Sequence, residues 1–270
     1  PDLNGIWIAG NGEIFAVGSS GTIWHYNNTD WTDMPNPTTC DLNSVWGTAP
    51  GNVFAVGDRG TIIHYNGQAW SEMASGTTED LRAVSGFGSE VWAVGAAGTI
   101  LRYSGGSWGP ASTTASVLAS TTSRPSLQAV DPINDFWGVS FDGSGNGTIV
   151  GSNGSIYAQA AGSNVWVQQT SGTTSRIRGV CYLPSGGTCA VGYSGWIGYR
   201  APGTSTWTQQ TSGTSNNLYG VYGNSTGGTY TVGTGGWIGY QAPGTSTWTA
   251  QDSGTANGLL DVTIGSDGKV

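Results

Sequence analysis

The 270-residue sequence predicts an all-β protein, a β-propeller of four-stranded antiparallel blades, and three observations carry that prediction. One eight-residue phrase recurs six times, at 16–23 (AVGSSGTI), 55–62 (AVGDRGTI), 93–100 (AVGAAGTI), 149–156 (IVGSNGSI), 190–197 (AVGYSGWI) and 231–238 (TVGTGGWI). The units that contain it begin 39 residues apart at Leu3, Leu42 and Leu81, and 41 apart at Phe136, Ile177, Leu218 and Leu259. A period near 40 with four short strands is the spacing of propeller blades, which bury their faces against one another around a channel. The composition agrees: 47 Gly and 13 Trp, with only 8 Lys+Arg and 16 Asp+Glu, describe a turn-rich chain without helix-forming stretches.

Each unit reads as four strands in order. A short alternating run opens it, as in 42–46 (LNSVW) and 218–222 (LYGVY). The repeated phrase follows as an apolar strand end, a Gly-x-x-Gly turn and an apolar strand start, with paired glycines suited to a tight hairpin at positive φ. A Tyr, a Gly-rich turn and a single Trp close the unit, the Trp being Trp31, Trp70, Trp108, Trp166, Trp207 or Trp248. Blades are therefore expected at about 3–41, 42–80, 81–108, 136–176, 177–217 and 218–258. A partial seventh is expected at 259–270, with a seven-bladed ring if the parent chain is longer. The stretch 109–135 reads as an insert between blades three and four, rich in Ala, Ser and Thr, and suited to a surface excursion.

Positions eight apart around the first hairpin share a face and oppose each other, which pairs Trp7 with Phe15, Trp46 with Phe54 and Tyr222 with Tyr230. Cys181 and Cys189 fill the same two places, so a disulfide is expected there, with two buried thiols as the alternative. Cys40 is left over in a loop. A disulfide together with Asn-x-Ser/Thr triplets at Asn27, Asn146, Asn153 and Asn224 points to an extracellular, cell-surface or periplasmic setting.

The net charge of -8 leaves no basic footprint for nucleic acid or an anionic bilayer, and no apolar run has the length of a membrane span. No signal-peptide pattern opens the chain at Pro1. Catalytic chemistry has little to work with: no carboxylate pair, nucleophile with base, metal-ligand set or cofactor motif stands out. His25 and His64 recur at one place in successive units, where Arg102 stands in the third, and read as structural. The stretch 142–147 (DGSGNG) resembles the start of a calcium loop, but Asn153 stands where the bidentate glutamate would be needed. Trp196 and Trp237 replace the Thr of the repeated phrase and are followed by Tyr199 and Tyr240, so these four rings are candidates to contact a sugar or a partner protein.

The run Trp-Thr-Gln-Gln-Thr-Ser-Gly-Thr, then Leu-x-Gly-Val, then Val-Gly-x-x-Gly-x-Ile, clearest over 207–238, resembles the photosystem-assembly-factor-like, BNR-type propeller repeats. The first three units, clearest at 42–67, resemble exported repeat proteins of myxobacteria and related proteobacteria. The resemblance spans nearly all of the chain outside the insert and implies the propeller fold. Its members include assembly factors, surface proteins, lectin-like binders and glycosidases, so it says less about function. No arginine cluster of the sialidase kind is apparent. The expectation is a non-enzymatic binding or scaffold module for other proteins or surface glycans, with a lectin as first alternative and a glycoside hydrolase as second.

Overall fold

The computed structural model describes residues 1–111, 134–163, 165–223 and 228–264. Six four-stranded antiparallel sheets follow one another, each with its strands in chain order, forming a six-bladed propeller. Blade one runs Leu3–Ile8, Ile14–Gly18, Ile23–Tyr26 and Trp31–Asp33 from the channel outward, and the later blades repeat it. The inner strands of blades two to six are Leu42–Ala49, Leu81–Phe87, Phe136–Phe141, Ile177–Tyr182 and Leu218–Gly223. No helix of the described residues is long and apolar enough to cross a membrane. Most of the expected insert, with the Asn224 triplet, lies outside the described residues.

The register bears out the opposed pairs: Trp7 faces Phe15, Trp46 faces Phe54, Cys181 faces Cys189 and Tyr222 faces Tyr230. The disulfide is a correction. Both cysteines are buried free thiols, opposed in the register but not bonded to each other. The opening strand of a seventh blade is also not shown, because 259–264 forms no strand.

The repeated turn departs from the expected hairpin. Its middle is one 3-10 turn, and positive φ falls on its second residue and second glycine, as at Arg59 (57°) and Gly60 (71°). The first glycine is extended, φ −162° at Gly57, and is needed for another reason: a Cβ there would collide with the Asp41 carbonyl at the entrance of the same blade. Adjacent blades are joined at this turn. Asp41 Oδ1 accepts Ser20 N–H at 2.7 Å, Asp80 Oδ1 accepts Arg59 N–H at 3.0 Å, and Asn217 Oδ1 accepts Ser194 N–H at 3.1 Å, so the residue entering one blade holds the strained turn of the blade before it.

Five seams between successive blades are filled by apolar clusters, such as Phe15, Val17 and Ile23 of blade one against Val45, Ile63 and Trp70 of blade two. Trp92 and Trp166 meet edge to face at 5.5 Å and 86° across the seam of blades three and four, the geometry aromatic quadrupoles favour. In the later blades the wedge is also hydrogen-bonded: Trp207 Nε1 donates to Gln169 Oε1 at 2.7 Å and Trp248 Nε1 to Gln210 Oε1 at 2.8 Å. His25 and His64 stack on Phe15 and Phe54 at 4.4 and 4.5 Å, and their Nε2 atoms meet Glu13 and Asn52. Arg102 keeps the same station against Glu90, so the three positions serve their blades alike.

Candidate functional site

The inner strands leave a channel with two unlike mouths. Near the first hairpins a cavity of about 760 Å³ is lined by Trp7, Trp46, Phe141, Tyr182 and Tyr222, with Asp261 at its wall. The opposite mouth is bounded by the second residue of each inner strand, in blade order Asn4, Asn43, Arg82, Trp137, Arg178 and Tyr219. Asn4 Nδ2 and Asn43 Nδ2 each donate to the first carbonyl of the next inner strand, Leu42 and Leu81, at 3.0 Å. That half of the mouth is self-satisfied amide. The other half is not.

There the Trp137 ring has three guanidinium carbons close to its centroid: Arg82 at 3.9 Å, Arg176 at 4.5 Å and Arg178 at 4.7 Å. Trp137 Nε1 donates to Ser152 Oγ at 3.3 Å, which fixes the plane of the ring. Arg178 also lies 4.6 Å from the Tyr219 ring, and Arg176 donates to the Tyr193 hydroxyl at 2.9 Å. Each arrangement satisfies the attraction of a cation for an aromatic face, about 0.5–2 kcal/mol apiece by degree of burial. All six side chains are half-buried.

The charges do not balance. Arg82 is paired with Asp135 at 2.9 Å, whereas Arg176 and Arg178 form no salt bridge among the described residues. Burial pushes the Asp135 carboxyl up, but the hydrogen bonds from Arg82 and the Ala97 N–H, with the charges of Arg82 and Arg176, prevail and hold it below its usual value. For Arg178, burial is the main influence and lowers its affinity for its proton. The neighbouring charge of Arg176 acts the same way, while Tyr193 and Tyr219 oppose it. Two planar cations, held on aromatic faces and short of counter-charge, present N–H donors suited to a carboxylate or another oxyanion.

Sequence reading misses this cluster, since its arginines lie far apart in the chain. The available signal is positional: Arg82, Trp137 and Arg178 hold the same place in three successive blades.

The sequence candidates lie elsewhere. Trp196 is buried in the seam of blades four and five, its ring folded onto Gly198, where a Cβ would collide with it. Trp237 folds onto Gly239 in the same way and packs, partly buried, against the core of blades five and six. Tyr199 lies half-buried over Gly187, and Tyr240, also half-buried, stands 4.7 Å from Tyr230 in blade six. The structure does not bring the four into one surface cluster. At 142–146 the Asp142 carboxylate caps its own hairpin, accepting N–H groups from Ser144 and Asn146 at 2.9 and 2.8 Å.

The radial arrangement of sheets defines the chain as a β-propeller. It resembles YCF48 from Cyanidioschyzon merolae with a TM-score of 0.74 at 16% identity, over 98% of this chain and 90% of that one. A structure of YCF48 bound to D1 peptide gives 0.69 at 16% identity, over 92% and 82%. A streptogramin B lyase gives 0.79 at 13% identity, over 98% and 88%. At these identities the likeness establishes the fold. No protein-family model and no curated protein sequence matches the chain.

Proposed function

We propose that this propeller is a non-enzymatic binding scaffold whose arginine-lined mouth takes an acidic segment of a partner protein. The observation that carries the reading is the convergence of Arg82, Arg176 and Arg178 on Trp137 in a chain of net charge -8 with only 8 Lys+Arg. Asp135 is one carboxylate among three guanidiniums and offsets only part of their mutual repulsion, so an added negative charge would be favoured there. An incoming carboxylate would supply the missing counter-charge, and the aromatic platform, already ordered, keeps the entropic loss on binding small. Tyr193 and Tyr219 would flank the peptide with surfaces that are apolar on the face and polar at the tip. A similarly folded protein, YCF48, is described with a bound peptide, which supports a peptide as the class of ligand.

The test is fluorescence polarisation with labelled acidic peptides against neutral peptides of the same length, at low and high salt. Acidic peptides should bind, more weakly as salt rises, and Arg178→Gln should weaken them about tenfold, the loss of one charge-assisted hydrogen bond. Equal binding of neutral peptides, with an unaltered affinity in Arg178→Gln, would refute the proposal.

A further inference from the structure

The sixth interval of the ring differs from the five closed seams. The inner strands of blades six and one do not pack on each other, and residues 259–264 run between them. Leu3 is 47% exposed, although Leu42, Leu81, Phe136, Ile177 and Leu218 at its position are fully buried. Trp31 is 46% exposed, while Trp70, Trp108, Trp166, Trp207 and Trp248 are at most 8% exposed. On the facing side, Tyr230 and Ile238 of blade six are half-buried where Phe15 and Ile23 of blade one are fully buried. Two seam faces are thus present without the sheet that would lie between them.

The segment 259–264 forms no strand, but it lies where the innermost strand of that sheet would run. Asp261 Oδ2 accepts the Ile6 N–H at 3.2 Å, just as Ser44 Oγ, at the same place in blade two, accepts the Val84 N–H of blade three at 3.2 Å. The Asp261 Cα approaches Gly220 as the Ser44 Cα approaches Gly5, each 3.0 Å from where a Cβ would stand.

We infer that the interval is a seat for the outer three strands of a seventh blade, supplied by polypeptide joined in sequence beyond Ile264. All six blades run outward in chain order, so strands pairing with 259–264 come next in sequence. The seat also specifies its occupant. Gln169 and Gln210 accept the indole N–H of the following blade, and Gln251, 41 residues after Gln210, stands exposed on the open face of blade six. The occupant therefore carries a Trp that donates to Gln251, a Val-Gly-x-x-Gly-x-Ile turn, and an apolar face that covers Leu3 and Trp31.

The experiment appends residues 230–258 of this chain after Val270 and measures residue-resolved oxidative footprinting at Leu3 and Trp31. Controls are a scrambled extension and the 230–258 peptide added separately. The extension should protect Trp31 about sixfold, the ratio of its 46% exposure to the 8% of Trp108, and should raise Tm. Gln251→Ala should reduce the gain in the extended protein and change nothing in the 270-residue chain. Equal reactivity of Trp31 with and without the extension, or equal protection by the scrambled one, would overturn the seat. Protection by the separate peptide alone would overturn its assignment to the same polypeptide.

Discussion

The carboxylate of Asp261 accepts the backbone N–H of Ile6, tying together residues 255 positions apart. Asp261 is ringed by the channel wall yet open to channel water, and this enclosure pushes its carboxyl up to about 6 from 3.8. A carboxyl whose pKa is higher folded than unfolded takes up a proton on folding. Its stabilising effect is complete below about pH 4 and is lost as the pH rises through about 6. Asp261→Asn should therefore melt higher than the parent protein at pH 7 and together with it near pH 4. Thermal melts of both proteins across that range check this, and a constant difference would count against it.

The two reasons for glycine in this chain separate cleanly by mutation. Gly57→Ala drives a Cβ into the Asp41 carbonyl, with backbone on both sides of the collision, and should destabilise by about 3–5 kcal/mol. Gly76→Ala has open space around it and meets only the strain of φ +76°, about 1–2 kcal/mol. Urea denaturation of the two variants gives the comparison.

Gln210→Leu removes the acceptor of the Trp248 indole N–H and of Gln241 Nε2. Orphaning a buried donor costs about 1–3 kcal/mol, so a loss of that size is expected in equilibrium unfolding. A neutral result would mean that the hydrogen bonds at this seam are replaced by water.

Native alkylation should distinguish the three cysteines. Burial pushes Cys181 up to about 12 and Cys189 well above its usual value, which leaves almost no thiolate at pH 8, while Cys40 is half-exposed. Mass spectrometry after iodoacetamide is expected to find Cys40 modified in the folded protein, and Cys181 and Cys189 only after denaturation.

Trp137→Leu should weaken acidic-peptide binding about as much as loss of an arginine, because the indole is what holds three guanidiniums in one place. Trp137→Phe should keep part of the affinity, since a smaller ring retains the attraction for cations. Titration calorimetry reads both; unchanged affinity in Trp137→Leu would separate the platform from the binding.

The blades were legible because each repeats the same local chemistry. Opposed pairs such as Trp46 and Phe54 follow from counting around one hairpin, and the structure has them at that register. The turn was legible in place but not in geometry, because Gly57 is dictated by the carbonyl of Asp41, a neighbour that appears only once the strands are paired. The pairing of Cys181 with Cys189 follows from the same counting, but register alone does not decide whether two opposed thiols join. The Trp196 ring had the look of a rim contact until its fold over Gly198 put it in a seam. The arginine mouth was hidden most deeply, because its members meet only when successive blades bring their second residues to one mouth.

The residue entering a blade grips the turn of its predecessor in the same way at Asp41, Asp80 and Asn217, so one joint chemistry serves successive blades whatever else their sequences carry. The arginine cluster has no such freedom. It depends on Arg82 and Arg178 flanking the one unit that carries Trp137, so replacing that unit by a copy of another would leave the joints and dissolve the cluster.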